Sequence, residues 1–148
     1  MNLISRRALT IAALSLGLAA SLSAQADTLQ VHADLTAAAE VPPKQSNGHG
    51  MLMGSYDTDS KQLSWHVDYS DLTGPATMAH FHGPAPVGQN AGVVIPIDKK
   101  DLPSPIEGHA TLNAAQEADL LAGRWYFNVH TAKNPGGEIR GQVAASKS

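Results

Sequence analysis

Two histidines, His80 and His82, stand two residues apart in the stretch Met-Ala-His-Phe-His-Gly at residues 78–83. In a β-strand, residues i and i+2 point to the same face and lie roughly 6.6 Å apart along the strand. Phe81, between them, then points to the opposite face. This spacing predicts a strand that buries an aromatic ring on one face and presents two imidazoles on the other.

A third histidine, His130, lies in a strongly strand-like segment at residues 124–131, on the face opposite the large apolar side chains. Neutral imidazole nitrogen binds zinc and copper at about 2.0–2.1 Å. We therefore predict a copper or zinc site built from His80, His82 and His130. His66 is a further candidate ligand, with Asp68 orienting its ring. The alternative is that these histidines only organise loops through hydrogen bonds.

Two other groups of residues have chemistry worth testing. Met51, Met53 and Met78 carry soft thioethers that suit Cu(I), although methionines more often fill a core. Asn128, Glu138 and Arg140 form a polar cluster on the last two predicted strands. An exposed Glu–Arg pair predicts either an anion-binding spot or a cross-strand ion pair, and we favour the ion pair. His32, His49 and His109 are expected at the surface.

Composition excludes several classes of function. The chain has no cysteine, so thiolate metal sites, thiol nucleophiles and disulfides are excluded. Its formal net charge of −3, without a long basic run, argues against a nucleic-acid partner. No nucleophile elbow or phosphate-binding glycine loop is present, so we expect no catalytic residues and a non-enzymatic protein.

The first 26 residues have the pattern of a secretory signal peptide. Arg6 and Arg7 precede an apolar run at residues 8–22, and a small-x-small site follows at residues 24–26. We therefore predict a signal peptide at 1–26, one domain at 27–148, and a periplasmic or secreted protein. No second apolar span follows, so no membrane span is expected after cleavage.

Short segments of alternating polarity recur along the rest of the chain, and turn residues separate them. They predict strands at residues 29–35, 51–56, 63–69, 78–83, 93–97, 124–131 and 138–144. One short helix is predicted near 114–122, with Asn113 as its N-cap and Gly123 after its end. The fold class is therefore all-β, an antiparallel β-sandwich or flattened Greek-key barrel of about seven or eight strands.

Three motifs occur in order along the chain. They are Leu-Thr-Ala-Ala-Ala-Glu-Val-Pro-Pro at 35–43, Ala-His-Phe-His-Gly-Pro-Ala at 79–85, and Phe-Asn-Val-His-Thr at 127–131 followed by Asn-Pro-Gly-Gly-Glu-Ile-Arg-Gly-Gln at 134–142. In these motifs the chain resembles the CHRD (chordin-type) domain, as a single-domain exported bacterial form. The resemblance implies an all-β sandwich and says little about function.

Together these observations predict an exported, non-enzymatic module that binds a ligand, copper or zinc, at a histidine-lined rim. One alternative is a protein–protein or extracellular interaction domain with structural histidines. Another is a metal-dependent redox enzyme that resembles Cu/Zn superoxide dismutase locally, because that family also uses His-x-His on a strand. The partner is accordingly a metal ion or another protein.

Overall fold

The computed structural model describes residues 27–147. The predicted signal peptide at 1–26 lies outside this range. Within it, eight strands form one antiparallel sheet in the order β5-β4-β7-β8-β1-β2-β3-β6. The strands are β1 Thr28–Thr36, β2 His49–Asp57, β3 Gln62–Ser70, β4 Ala76–His82, β5 Val93–Pro96, β6 Ile106–Thr111, β7 Trp125–Thr131 and β8 Ile139–Lys147.

The sheet curls into a half-barrel, so that its two halves pack against each other. Trp65 on β3 meets Phe81 on β4 edge-to-face, with ring centroids 5.1 Å apart, although four strands separate them in the sheet. Phe81 also packs edge-to-face on Phe127, at 4.8 Å. The fully buried rings of Phe81 and Phe127 each contribute roughly 1.5–3 kcal/mol of hydrophobic stabilisation. The predicted all-β architecture is confirmed.

One short helix, α1, runs over Ala114–Leu121. Asn113 accepts a hydrogen bond from the Gln116 amide, and the Gln116 side chain accepts one from the Asn113 amide, which forms the predicted capping box. Gly123 follows with a φ of +67°, the left-handed conformation that glycine adopts readily. Leu120 anchors the helix to the core.

Strand β7 is buried on both faces. Trp125, Phe127 and Val129 point into the core as predicted. Tyr126 and Asn128 point the other way and are also buried, although their polar phase predicts exposure. Loops therefore cover the polar face of β7, and this covered face holds the candidate site.

The sequence-based strand prediction misses one strand and ends another too early. It omits β6, because Ile106–Thr111 contains a glycine and one deeply buried side chain. It ends the last strand at residue 144, whereas β8 continues to Lys147. The strand continues because Ala145 and Lys147 pair with β1. Among residues 27–147, no helix is long and apolar enough to cross a membrane.

Candidate metal centre

His80, His82 and His130 come together on the covered face of β4 and β7. One nitrogen from each ring lies within 4.8 Å of the others. His80 Nδ1 and His130 Nε2 are 3.2 Å apart. A metal with bonds of about 2.0–2.1 Å holds two nitrogens about 3.4 Å apart in tetrahedral geometry. One pair already has this spacing, and a nitrogen of the third ring lies within 4.8 Å.

Two backbone carbonyls fix the rings of His82 and His130. His82 Nδ1 donates to the Ala91 carbonyl at 3.0 Å, and His130 Nδ1 donates to the Pro135 carbonyl at 2.9 Å. Because a carbonyl oxygen only accepts, Nδ1 of each ring must carry the proton. In the neutral rings, Nε2 therefore carries a lone pair. This is the arrangement that typically orients histidines for metal binding.

The side-chain amide of Asn128 contacts two of the three histidine rings. Its Oδ1 lies 3.0 Å from Nε2 of His82 and 2.9 Å from Nε2 of His130. Its Nδ2 points the other way and donates to Oε1 of Glu40 at 3.4 Å. The Asn128 side chain therefore lies against Nε2 of both rings. With its amide nitrogen turned toward them it donates to their lone pairs, and with its oxygen turned toward them it offers a further ligand to a bound cation.

The surroundings of the three histidines disfavour their protonated forms. Burial, followed by the neighbouring His130 and His82, lowers the pKa of His80 to about 4. Burial also lowers the pKa values of His82 and His130, and hydrogen bonds oppose it only in part. The three imidazoles are therefore neutral at pH 7, which is the form that binds metals.

A stack of side chains supports the site from one side. The ring of Tyr126 lies parallel to that of His82, with centroids 4.7 Å apart and 3° between their planes. The Arg140 guanidinium covers the other face of Tyr126, 3.4 Å from its centroid. Arg140 in turn donates to Oδ1 of Asn90, at 2.8 Å, and to the Gln89 carbonyl. The stack thus ties His82 to the loop at residues 89–91.

Glu138 does not belong to this site. Its buried carboxylate accepts five hydrogen bonds of 2.5–3.1 Å, from Ser46, Thr73 (amide and hydroxyl), Thr131 and Asn134. Burial alone would raise its pKa, but the bonds from Ser46, Thr131 and Thr73 lower it to about 2. The predicted ion pair with Arg140 is absent among the described residues, and both side chains are buried rather than exposed. Glu138 instead joins the three loops that carry Ser46, Thr73 and Asn134 through these hydrogen bonds.

Gly137 makes room for the polar network. A Cβ there would lie 2.2 Å from Oε1 of Glu40 and 2.7 Å from Nδ2 of Asn128, and its φ is +120°. The turn closes with Gly137 N donating to Asn134 O at 3.0 Å. The sequence predicts a type II turn with positive φ at Gly136. This assignment is wrong, because the positive φ lies at Gly137.

His66 lies outside the cluster of the three histidines. It lies on β3, and its two nitrogens bond Oε1 of Glu107 at 2.9 Å and Oδ2 of Asp68 at 3.0 Å. These two bonds raise its pKa, which disfavours the neutral form that a metal needs. The remaining histidines are exposed, as predicted: His32, His49 and His109.

The methionines do not fill the core. Met51, Met53 and Met78 are all partly exposed, by 42%, 49% and 41%. Met51 and Met53 lie on β2, beside acidic and histidine positions of β1 and β3. Met78 lies on β4, directly opposite His130 in the ladder. Only Met78, of the three, adjoins the histidine cluster.

A family model, described as the CHRD domain, matches residues 31–143. The chain belongs to the CHRD domain family. Neither a search of curated proteins nor a search of solved structures finds a match. All three motifs that suggested this family contribute to the centre of the CHRD domain: Glu40 from the first, His80 and His82 from the second, and residues 128–137 from the third.

Sequence reasoning missed three residues of this centre. The predicted site contains neither Glu40, Tyr126 nor Gly137. A buried glutamate beside Val-Pro-Pro is not recognisable by periodicity, since residues 37–39 form a short 3-10 turn. Burial raises the pKa of Glu40, against the hydrogen bond from Asn128 and the charge of Arg140.

Proposed function

We propose that this CHRD domain binds one transition-metal ion, copper or zinc, through His80, His82 and His130. One observation carries the proposal. One ligand nitrogen from each of His80, His82 and His130 lies within 4.8 Å of the other two, and backbone carbonyls hold the ring protons of His82 and His130 on the far side. Neutral imidazoles that converge in this way offer their lone pairs to one metal ion.

His80 completes the set from the open side of the cluster. It is half-buried, whereas His82 and His130 are buried. Without metal, His80 donates its Nδ1 proton to Nε2 of His130 across 3.2 Å. Metal binding requires this proton to move to Nε2 of His80 or to leave. We infer that His80 binds the ion last, after His82 and His130.

The donor set favours copper and zinc over harder ions. Three neutral imidazoles and one amide oxygen suit Zn²⁺ and Cu²⁺. Magnesium and calcium prefer several oxygen ligands, usually carboxylates. Glu40 is the carboxylate that approaches Asn128, and it contacts the amide nitrogen rather than the amide oxygen. It orients Asn128 and offsets part of the charge of the ion.

Calorimetric titration of metal-free protein with Zn²⁺ and with Cu²⁺ at pH 7 tests the proposal. We expect one ion per chain, and we expect His80→Ala to weaken binding at least about tenfold. His109→Ala is the matched control, since His109 is exposed on β6 and should leave the affinity unchanged. No saturable binding, or equal binding by His80→Ala and His109→Ala, would contradict the proposal.

The other sequence-based functions stay predictions. An interaction domain with structural histidines predicts a partner whose binding ignores chelators. A redox enzyme predicts that the copper-loaded protein removes superoxide faster than free copper does. Export to the periplasm or beyond the cell stays a prediction too, and N-terminal sequencing of the purified protein checks cleavage after Ala26.

A further inference from the structure

We propose that Met78 is a fourth, soft ligand of this centre and that the domain therefore holds copper in its cuprous state. The inference rests on the proposed histidine site. Met78, His80 and His82 alternate on one face of β4, and Ala79 and Phe81 point into the core on the other. The thioether therefore projects on the same side of the sheet as the imidazoles.

Register brings Met78 beside two of the three histidines. In the β4–β7 ladder, Met78 is paired with His130, and His80 is paired with Asn128. These four residues form two neighbouring cross-strand pairs on the same face of the sheet. Directly opposite Cβ atoms lie about 4.5–5.5 Å apart, and a methionine side chain has three rotatable bonds. Its sulfur can thus reach an ion held between His80 and His130.

The exposure of Met78 leaves its sulfur available. It is 41% exposed, although its cross-strand partner His130 is buried. A methionine that served only as packing would be buried in the core, where Ala79 and Phe81 lie. Met78 thus borders the half-buried, open side of the cluster, where His80 also lies.

The two sides of the site differ in chemical softness. The amide oxygen of Asn128 is a hard ligand atom, and it lies on the buried side of the cluster, near His82 and His130. The thioether of Met78 is soft and suits Cu(I), whereas Zn²⁺ in proteins is held by cysteine, histidine and carboxylate ligands rather than by methionine. A site of three imidazoles and one thioether should favour Cu(I), whereas the histidines and Asn128 suffice for Zn²⁺.

Met78→Leu tests the inference, with Met51→Leu as its matched control. Leucine conserves volume and apolar character, and both methionines are exposed to nearly the same extent, 41% and 42%. Met51 lies on β2, opposite Asp34 and Asp68, away from the three histidines. Substituting it therefore removes an exposed thioether without touching the site.

Cu(I) affinity is measured anaerobically by competition with bicinchoninate, and Zn²⁺ affinity by calorimetry, for wild type and both variants. We expect Met78→Leu to lose at least about tenfold in Cu(I) affinity and nothing in Zn²⁺ affinity, with Met51→Leu unchanged in both. A tenfold loss of Cu(I) affinity with the Cu²⁺ affinity unchanged lowers the copper reduction potential by about 59 mV, which voltammetry measures independently.

Three results overturn the inference, and they are distinguishable. Unchanged Cu(I) affinity in Met78→Leu overturns it and leaves the histidine site standing. Loss of Zn²⁺ together with Cu(I) in Met78→Leu also overturns it, because a soft ligand should not affect Zn²⁺. Wild-type protein that binds neither ion overturns both this inference and the proposed function.

Discussion

Replacing Glu138 with glutamine should destabilise the fold strongly at neutral pH and much less in acid. The carboxylate is fully buried and accepts hydrogen bonds from five donors, at 2.5–3.1 Å. Glutamine keeps the shape but turns one acceptor oxygen into a donor, which then faces hydroxyl and amide donors. Buried donors left unsatisfied cost about 1–3 kcal/mol each, more for charged bonds.

The pKa of Glu138 gives the magnitude and the pH window. Its pKa is about 2 in the folded protein, against an ordinary value of 4.5. The difference corresponds to about 3 kcal/mol of stability. Because the folded pKa is depressed, this stability is fully present above about pH 4.5. It is lost as pH falls through about 2, since the unfolded chain takes up the proton first.

Urea unfolding at pH 7 and pH 3 measures both effects. We expect Glu138→Gln to lower the free energy of unfolding by about 3 kcal/mol at pH 7, and the deficit to shrink by more than half at pH 3. Glu107→Gln is the control, since its side chain is exposed on β6 and should cost less than about 1 kcal/mol. An equal deficit at the two pH values would refute the reasoning.

Three further predictions follow from the same network. Gly137→Ala should destabilise the fold by several kcal/mol, because the added Cβ would lie 2.2 Å from Glu40 and the φ of this residue is +120°. Gly136→Ala is the control and should be nearly neutral, since a Cβ there has no atom within 4 Å. Thermal unfolding compares the two variants. The free energy of unfolding of the metal-free protein should fall as pH drops from about 6.5 toward 4, the pKa of His80 in the folded protein. It falls because the histidine of the unfolded chain binds its proton at the higher pH. The wild type should lose more stability over this range than His80→Gln. Asn113→Ala should cost about 1 kcal/mol by removing the cap of α1, measured by urea unfolding.

Strand phase was enough to predict which face each histidine takes. His80 and His82 alternate with Phe81, and His130 alternates with Val129, so period-2 alternation separated the imidazoles from the core. The family motifs then placed the two strands in one domain. Their adjacency in the sheet, with His80 opposite Asn128, followed only from the folded chain.

Alternation could not reveal what covers the polar face. Tyr126 and Arg140 sit at positions that predict exposure, yet the loop carrying Gln89 and Asn90 lies over them. The orienting carbonyl of Ala91 comes from the same loop. Such contacts join residues far apart in sequence through irregular backbone, which has no period to detect. Glu138 was misjudged for this reason as well.

Anomalous diffraction from crystals grown with Cu²⁺ or Zn²⁺ tests the metal centre most directly. We expect one anomalous peak, at about 2.0–2.2 Å from Nδ1 of His80 and from Nε2 of His82 and His130. A peak elsewhere, for instance at His66 and Asp68, with the hydrogen bond between His80 and His130 still in place, would contradict the proposed metal centre.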